Sequence, residues 1–390
     1  MNPIESIKEF FRKGDMLLLG LCLLASGISL ILIYSATQYL GTMSYVFKQA
    51  AFICVGVFLY FIATFVDIEF LMEKWWWFFL LLGLGVILLL ATPLGEEING
   101  NRSWIYFPGV PIGLQPGEIA KLSFVVVFSW LMNRERRLGA GRFAALLKYL
   151  LLTGVFAGLL AVLSGDFGML LVYLFLFIIL VWVGGASKWW FICGGGGIIV
   201  AAVALWKFVL PHTSLWTDYR IMRFRVVFDH SLDPLGADWQ QTRSLLAIGS
   251  GQLTGMGYLK GKQTQSLSST NLPERHTDMI FSVCGEEFGM IGCVLILILL
   301  CAIVLRCVWV SRRAKSHMSS YIAMGFAGML IVQTVLNVAM CLFVGPVIGL
   351  TLPFISYGGS STLTLFVAMG IVSGIKMRPL PSWLKDRSNL

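Results

Sequence analysis

Charge is scarce in this 390-residue chain: Asp, Glu, Lys and Arg make up 13% of it, against 57% hydrophobic residues and a mean hydropathy of +0.82. A soluble protein of this length needs far more charge to cover its surface, so a soluble or secreted globule is excluded and a membrane protein remains. Cysteine offers no framework either. The eight cysteines (Cys22, Cys54, Cys193, Cys284, Cys293, Cys301, Cys307 and Cys341) lie in or beside apolar stretches, with no CxxC or Cys/His spacing, which excludes a disulfide scaffold and a zinc site. The 29 Lys and Arg outnumber the 20 Asp and Glu by nine, but they come in short runs between apolar stretches and not on one face. No nucleic-acid partner is expected from that pattern; anionic lipid and membrane orientation account for it.

Long apolar runs are abundant instead. Scanning with a window of about 19 residues predicts ten transmembrane helices, over residues 16–36, 46–66, 75–91, 119–132, 143–163, 167–183, 189–210, 279–310, 321–343 and 353–375. The first follows Lys8, Arg12 and Lys13 as a signal peptide would, but it is long enough at 1.5 Å per residue to cross a ~30 Å hydrocarbon core and is read as an uncleaved span. Ser164-Gly165-Asp166 is either a tight turn between two spans or a kink in one long helix. With both termini cytoplasmic, 18 of the 29 basic residues fall in inside segments, including the Arg134 to Arg142 and Arg312 to Lys315 groups. Two outside connections are longer than a turn requires, residues 94–117 and 211–278. Within the second, residues 219–228 mix bases with large apolar groups as an interfacial helix does, and residues 239–248 have similar character.

Ionisable groups at the mouths of spans are costly in hydrocarbon and need a partner or a wet cavity. Four clusters meet that description, all on the outside half. Gln115-Pro116-Gly117-Glu118-Ile119-Ala120-Lys121 opens the fourth span; Pro116 suits a first turn, and Glu118 and Lys121 are i, i+3 neighbours. They form either a helix-starting ion pair or a lysine held toward an anionic ligand. Asn99-Gly100-Asn101-Arg102-Ser103-Trp104 reads as a turn with an interfacial anchor, or as a phosphate-binding Arg102 beside a Trp104 that packs on sugar or prenyl chain. Asp166 suits a helix cap. Pro273-Glu274-Arg275-His276-Thr277-Asp278 ends the long connection, where Thr277 or Asp278 is a natural N-cap, yet a carboxylate beside Arg275 and His276 also suits a general base or cation ligand. Glu286 and Glu287 lie deeper and need polar company. Ser356-Tyr357-Gly358-Gly359-Ser360-Ser361 offers small residues for close packing or ligand contact, and Gln333 and Asn337 face the same choice.

These strings resemble the SEDS family of bacterial cell-wall proteins, and within it the RodA branch more than the FtsW or SpoVE branches. The resemblance rests on residues 99–104, 115–121, 164–168, 247–251 with 255–257, 273–281, Asn337 with Met340, and 353–361, in order along nearly the whole chain. Gly117 departs from the serine usual in the Gln-Pro-Ser-Glu motif, and Arg275 stands where the division branch usually has alanine. The resemblance implies one SEDS domain over residues 1–390: an all-α polytopic protein of the bacterial cytoplasmic membrane. It further implies an inverting glycosyltransferase that polymerises lipid II into β-1,4 glycan on the outer face, releasing undecaprenyl pyrophosphate, for elongation and cell shape. Asp278 is the expected catalytic residue. Lys121, Glu118, Arg102, Trp104, Asp166, Arg275, His276, Ser356 and Ser360 are expected around the substrate, with a divalent cation (magnesium or manganese) at Asp278 and no organic cofactor. A class B penicillin-binding protein and the elongation machinery are the expected partners, the former docked on small residues Gly325, Ala327 and Gly328.

Overall fold

The computed structural model describes residues 3–98, 101–106, 109, 113–139, 142–187, 189–191, 203–204, 207–208, 212, 219–226, 236–268 and 271–378. Among them are α1 (Pro3–Lys13), α2 (Met16–Thr37), α3 (Ser44–Phe65), α4 (Ile68–Leu88), α5 (Pro116–Arg137), α6 (Arg142–Leu163) and α7 (Phe167–Val183). They continue with α8 (Tyr219–Arg225), α9 (Ala237–Gly251), α10 (Ile280–Arg313), α11 (His317–Cys341) and α12 (Gly359–Met377). A small antiparallel sheet, β1 (Gly95–Ile98), β2 (Asn101–Tyr106) and β3 (Gly113–Leu114), fills the first long connection. The predicted seventh span at 189–210, Lys188, Cys193, Asn99, Gly100 and the tail with Lys385 and Arg387 fall wholly or largely outside the described residues.

Seven of the described helices are long and apolar enough to cross a membrane, and α7 is shorter. The fourth predicted span, α5, is not among the seven because it is amphiphilic and ends in Arg134, Arg136 and Arg137. It is instead the helix the others surround: α4, α6, α7, α11 and α12 pack on it, and fifteen of its 22 residues are buried. Short polar residues set the starts. Asp15, Asp67 and Asp166 each accept an amide three residues on, satisfying a donor that the helix cannot. The Ser164-Gly165-Asp166 break is a tight turn between α6 and α7, made by Gly165 at φ +69°.

Several predicted boundaries shift. The third span starts at Ile68 and not near 75, because Glu69, Glu73 and Lys74 lower the apolar average without interrupting the helix, which kinks at Trp75. The tenth starts at Gly359 and not at 353, since Phe354 takes φ +61° and residues 353–355 form a turn. A third difference concerns docking. Gly325 and Gly328 lie against Val125 and Ile179, and Ala327 is fully buried, so these small residues bring α11 close to α5 and α7 and offer no outer surface. The outward apolar side chains of α10 and α11 include Ile291, Val294, Leu295 and Ile298, with Ile331 and Val335.

Inside α10 the helix is broken at Gly289, where φ +66° and ψ −163° belong to glycine alone. The connection after α9 supplies the lost partners: Met290 and Ile291 donate to the carbonyls of Gln252 and Leu253, while Met256 and Gly257 donate to those of Glu286 and Glu287. Irregular backbone at such depth is tolerated only when its polar groups are met by protein. Close approach then demands glycine at Gly255, where a Cβ would sit 2.1 Å from the Glu287 carbonyl oxygen.

The two ends of the bundle differ. At one, Arg306 donates to both carboxylate oxygens of buried Asp15 (2.8 and 3.1 Å), Lys376 lies 3.6 Å from it, and Arg137 meets Glu73. At the other, the starts of α5, α7, α10 and α12 converge with the sheet.

Candidate active site

Pro116 fixes the first turn of α5, and Glu118 and Lys121 follow on its inner side. Lys121 Nζ donates to Glu118 Oε1 at 2.6 Å, with side-chain exposures of 0% and 2%, so the pair is out of water on both sides. Gln333 of α11 donates to the same oxygen at 3.3 Å, and Glu118 Oε2 is buried with no hydrogen-bond partner among the described residues. The i, i+3 pairing read from the sequence is present. A buried charge pair leaving one acceptor empty is an unusual structural brace, and the empty carboxylate oxygen could take a hydrogen-bond donor.

The sheet attaches to the neighbouring turn. Ser103 Oγ shares a hydrogen with Ser164 Oγ at 2.8 Å and lies 3.4 Å from Asp166 Oδ2, and the Arg102 amide donates to the Ser164 carbonyl. Arg102 itself is turned elsewhere. Its guanidinium donates to the carbonyls of Gly95 (3.1 Å) and Thr92 (2.8 Å), which clips the hairpin to the end of α4 in place of the phosphate contact expected. Trp104 sits opposite Glu96 across the hairpin, over Gly113. Asp166 caps α7 as expected and is buried, and that burial raises its carboxyl above the ordinary value, opposed by the Met169 and Gly168 amides, Ser103 and Arg223.

Asp278 stands just before α10 and does not cap it. The first residue before the helix is Met279, with no side-chain capping bond, because Glu274 at φ +50° turns the chain so that Thr277 and Met279 donate to the Glu274 carbonyl. The backbone here is held at every step: Tyr357 N donates to the His276 carbonyl, Ser356 Oγ to that of Thr277 (2.6 Å), and Asn337 Nδ2 to that of Asp278 (2.8 Å). Meanwhile the Asp278 carboxylate makes no side-chain hydrogen bond among the described residues. Burial pushes it up to about 7, Glu274 and Asp166 push the same way, and Arg223 opposes them. Glu118 and Lys121 belong to the same electrostatic group, since Lys121 also feels Asp166.

Other expected residues fall into supporting places. Arg275, only 1% exposed, spends its guanidinium on the carbonyls of Leu272, Thr264, Ser266 and Ser268 and stacks 3.8 Å over Tyr39. It therefore ties up the preceding loop and does not face the site, correcting the expectation of substrate contact. His276 lies between Tyr45 and Tyr357, its burial favours the neutral ring, and its Nδ1 is buried without a hydrogen-bond partner among the described residues. Ser360 Oγ accepts the Gln115 amide, joining the starts of α12 and α5. Glu286 accepts from Gln263, Thr264 N and Thr264 Oγ1, and Glu287 from Ser35 and Gln265, so both find the polar company they need.

Arg223 was singled out by sequence only as part of an interfacial helix, yet it lines the crevice that holds Asp166, with Asn101, Gly168 and Val347. Its signal was an arginine among the large apolar groups of that segment. Among the described residues no group of three or more His, Cys, Asp or Glu could hold a metal ion. Asp166 and Asp278, which feel one another's charge, are the two carboxylates that would hold a divalent cation if one binds.

Comparison with known proteins places this geometry. The Cell cycle protein family that spans FtsW, RodA and SpoVE matches residues 15–379. The chain is 32% identical over 373 residues to a probable peptidoglycan glycosyltransferase FtsW of Nitrosococcus halophilus, covering 92% of this chain and 91% of that one. It is 32% identical over 362 residues to the protein of the same name in Coxiella burnetii, covering 92% of each. The Rod shape determining protein RodA of Thermus thermophilus superposes with a TM-score of 0.63 at 27% identity, over 93% of this chain and 96% of that one. A chain of a peptidoglycan synthase complex, solved for how polymerization and crosslinking are coordinated, gives 0.74 at 28% identity, over 93% and 97%. With nearly the whole length matched by the family and by relatives of this identity, the chain belongs to the FtsW, RodA and SpoVE family of cell cycle proteins, the SEDS family.

Proposed function

We propose that this membrane protein is a peptidoglycan glycosyltransferase that polymerises lipid II at the outer face of the bacterial cytoplasmic membrane. The observation that carries the reading is the Asp278 carboxylate, held through its backbone, free of side-chain hydrogen bonds among the described residues and raised to about 7 by burial. A base tuned near working pH suits removal of a proton from a sugar hydroxyl. In the proposed step, Asp278 takes that proton as the acceptor oxygen attacks the anomeric carbon of the donor chain. The bond to undecaprenyl pyrophosphate breaks on the opposite face, inverting the α-linked donor to a β-1,4 link. Lys121 and Arg223 face the developing negative charge of the leaving group, and Asp166 orients Arg223. The alternative role for the Asp278 carboxylate, in place of acting as the base, is to hold a divalent cation with Asp166, which would add positive charge at the pyrophosphate.

Purified protein given lipid II in detergent is expected to form glycan chains. A flippase, the other class of function that buried polar groups suit, forms none where no bilayer exists. The enzyme is favoured because the groups named above gather at one end of the bundle, whereas a transport path lines its full depth. Arg275 supports service in elongation with a class B penicillin-binding protein; the FtsW names of the relatives favour division as the alternative. Depletion in cells separates them, giving round cells for elongation and filaments for division.

A further inference from the structure

At the end of the bundle opposite Asp278, the last turn of α5, the beginnings of α6 and α11 and the segment after α7 surround a cavity of about 270 Å³. Its apolar wall is Met132, Leu146 and Val181, and Tyr149, Trp190 and Tyr321 stand around it, the side chains that favour a membrane–water boundary. The charge in it is unequal. Glu135 is buried, with Lys148 donating to both its oxygens (2.8 and 2.7 Å), so its negative charge is answered within the protein. Arg136 makes a single hydrogen bond among the described residues, to the Tyr321 hydroxyl at 3.2 Å, and meets no carboxylate there. Most of its five N–H donors therefore remain for a ligand.

We infer that this cavity binds one anionic phospholipid from the leaflet at that end of the bundle. The phosphate would take the planar Arg136 fork, which matches two of its oxygens. The glycerol region would lie at Tyr149 and Tyr321 and the acyl chains would run over the apolar wall. Basic cavities between helices at a membrane face select such headgroups, and the neighbouring Arg134 repels the amine of a zwitterionic one. Water-soluble phosphate leaves the apolar wall uncovered, which is why the lipid is assigned.

Native mass spectrometry of the full chain in mild detergent tests this, with phosphatidylglycerol, phosphatidylethanolamine of the same chains, and glycerol 3-phosphate as competitor. One phosphatidylglycerol should be retained about fivefold or more above phosphatidylethanolamine, from about 1 kcal/mol per basic group. Arg136→Gln should remove most of that preference and Arg136→Lys should keep much of it. Ala186→Phe, which fills the cavity and leaves every charge in place, should lower retention of both lipids in protein that still elutes as a single species. Unchanged phosphatidylglycerol retention in Arg136→Gln and Ala186→Phe overturns the site. Displacement of the lipid by glycerol 3-phosphate overturns the lipid assignment.

Discussion

Asn337 grips Asp278 by the backbone: its side-chain amide donates to the Asp278 carbonyl at 2.8 Å and to the Leu350 carbonyl at 2.7 Å. Both N–H groups are consumed there, so the Asp278 carboxylate is positioned through its backbone, with no side-chain hydrogen bond among the described residues. Asn337→Leu leaves two carbonyls short of a donor, a cost of about 1–3 kcal/mol each where they are buried. Polymerisation should fall at least tenfold through kcat, with the apparent KM for lipid II little changed. Equal kcat in a folded Asn337→Leu protein would remove Asn337 from the positioning of Asp278.

Asp278→Asn should slow polymerisation by roughly 10² to 10⁴ fold in folded protein. Since Asp278 makes no capping bond, no loss of stability is expected from that change. Near wild-type turnover would move the base to Asp166 or Glu118.

The same carboxyl predicts two pH effects of opposite sign. With Asp278 at about 7, its ionised fraction and hence kcat should rise roughly tenfold from pH 6 to pH 8. A carboxyl raised in the folded state stabilises the protein fully below its unfolded value near 3.9, and that contribution is lost as pH climbs through about 7. Asp278→Asn should therefore gain in thermal stability over wild type as pH goes from 6 to 8. A constant difference across that range would mean the charge is solvated.

Removing Lys121 alone strands Glu118 in the core, so Lys121→Ala should cost about 3–5 kcal/mol and much of the yield. Lys121→Met combined with Glu118→Gln removes both charges and should restore thermal stability. Lost turnover in the restored double variant marks Lys121 as functional; recovered turnover marks the pair as structural.

Gly289→Ala places a Cβ 2.4 Å from the Gly255 amide nitrogen in a backbone conformation closed to alanine. It should destabilise the protein by more than Asn337→Leu does, read as a lower melting temperature. Equal melting would mean that α10 is continuous there.

What the sequence made legible was the chemistry of positions near one another in the chain. Asp166 as a cap, Pro116 as a helix start and Glu118 with Lys121 as a pair all depend on spacings of a few residues. Contacts across the fold were not readable. Arg275 was expected around the substrate because the four carbonyls it meets come from a loop whose path no local pattern fixes. Asp278 looked like a cap because the left-handed turn at Glu274 has no glycine to announce it. The small residues of α11 suited a partner helix and found α5 and α7 instead, since spacing gives a stripe but not which neighbour it meets.

The interruption at Gly289 gives the first stub of α10 a mechanical identity of its own. Its backbone is laced to residues 252–257, its Glu286 to Thr264, and through Thr264 to Arg275, three residues from Asp278. A load applied to the long connection is thus carried by a single stiff plug to the carboxylate. Lys121 rides on a different beam, the uninterrupted α5, so the separation of Asp278 and Lys121 is set by how that plug seats against the rest of the bundle.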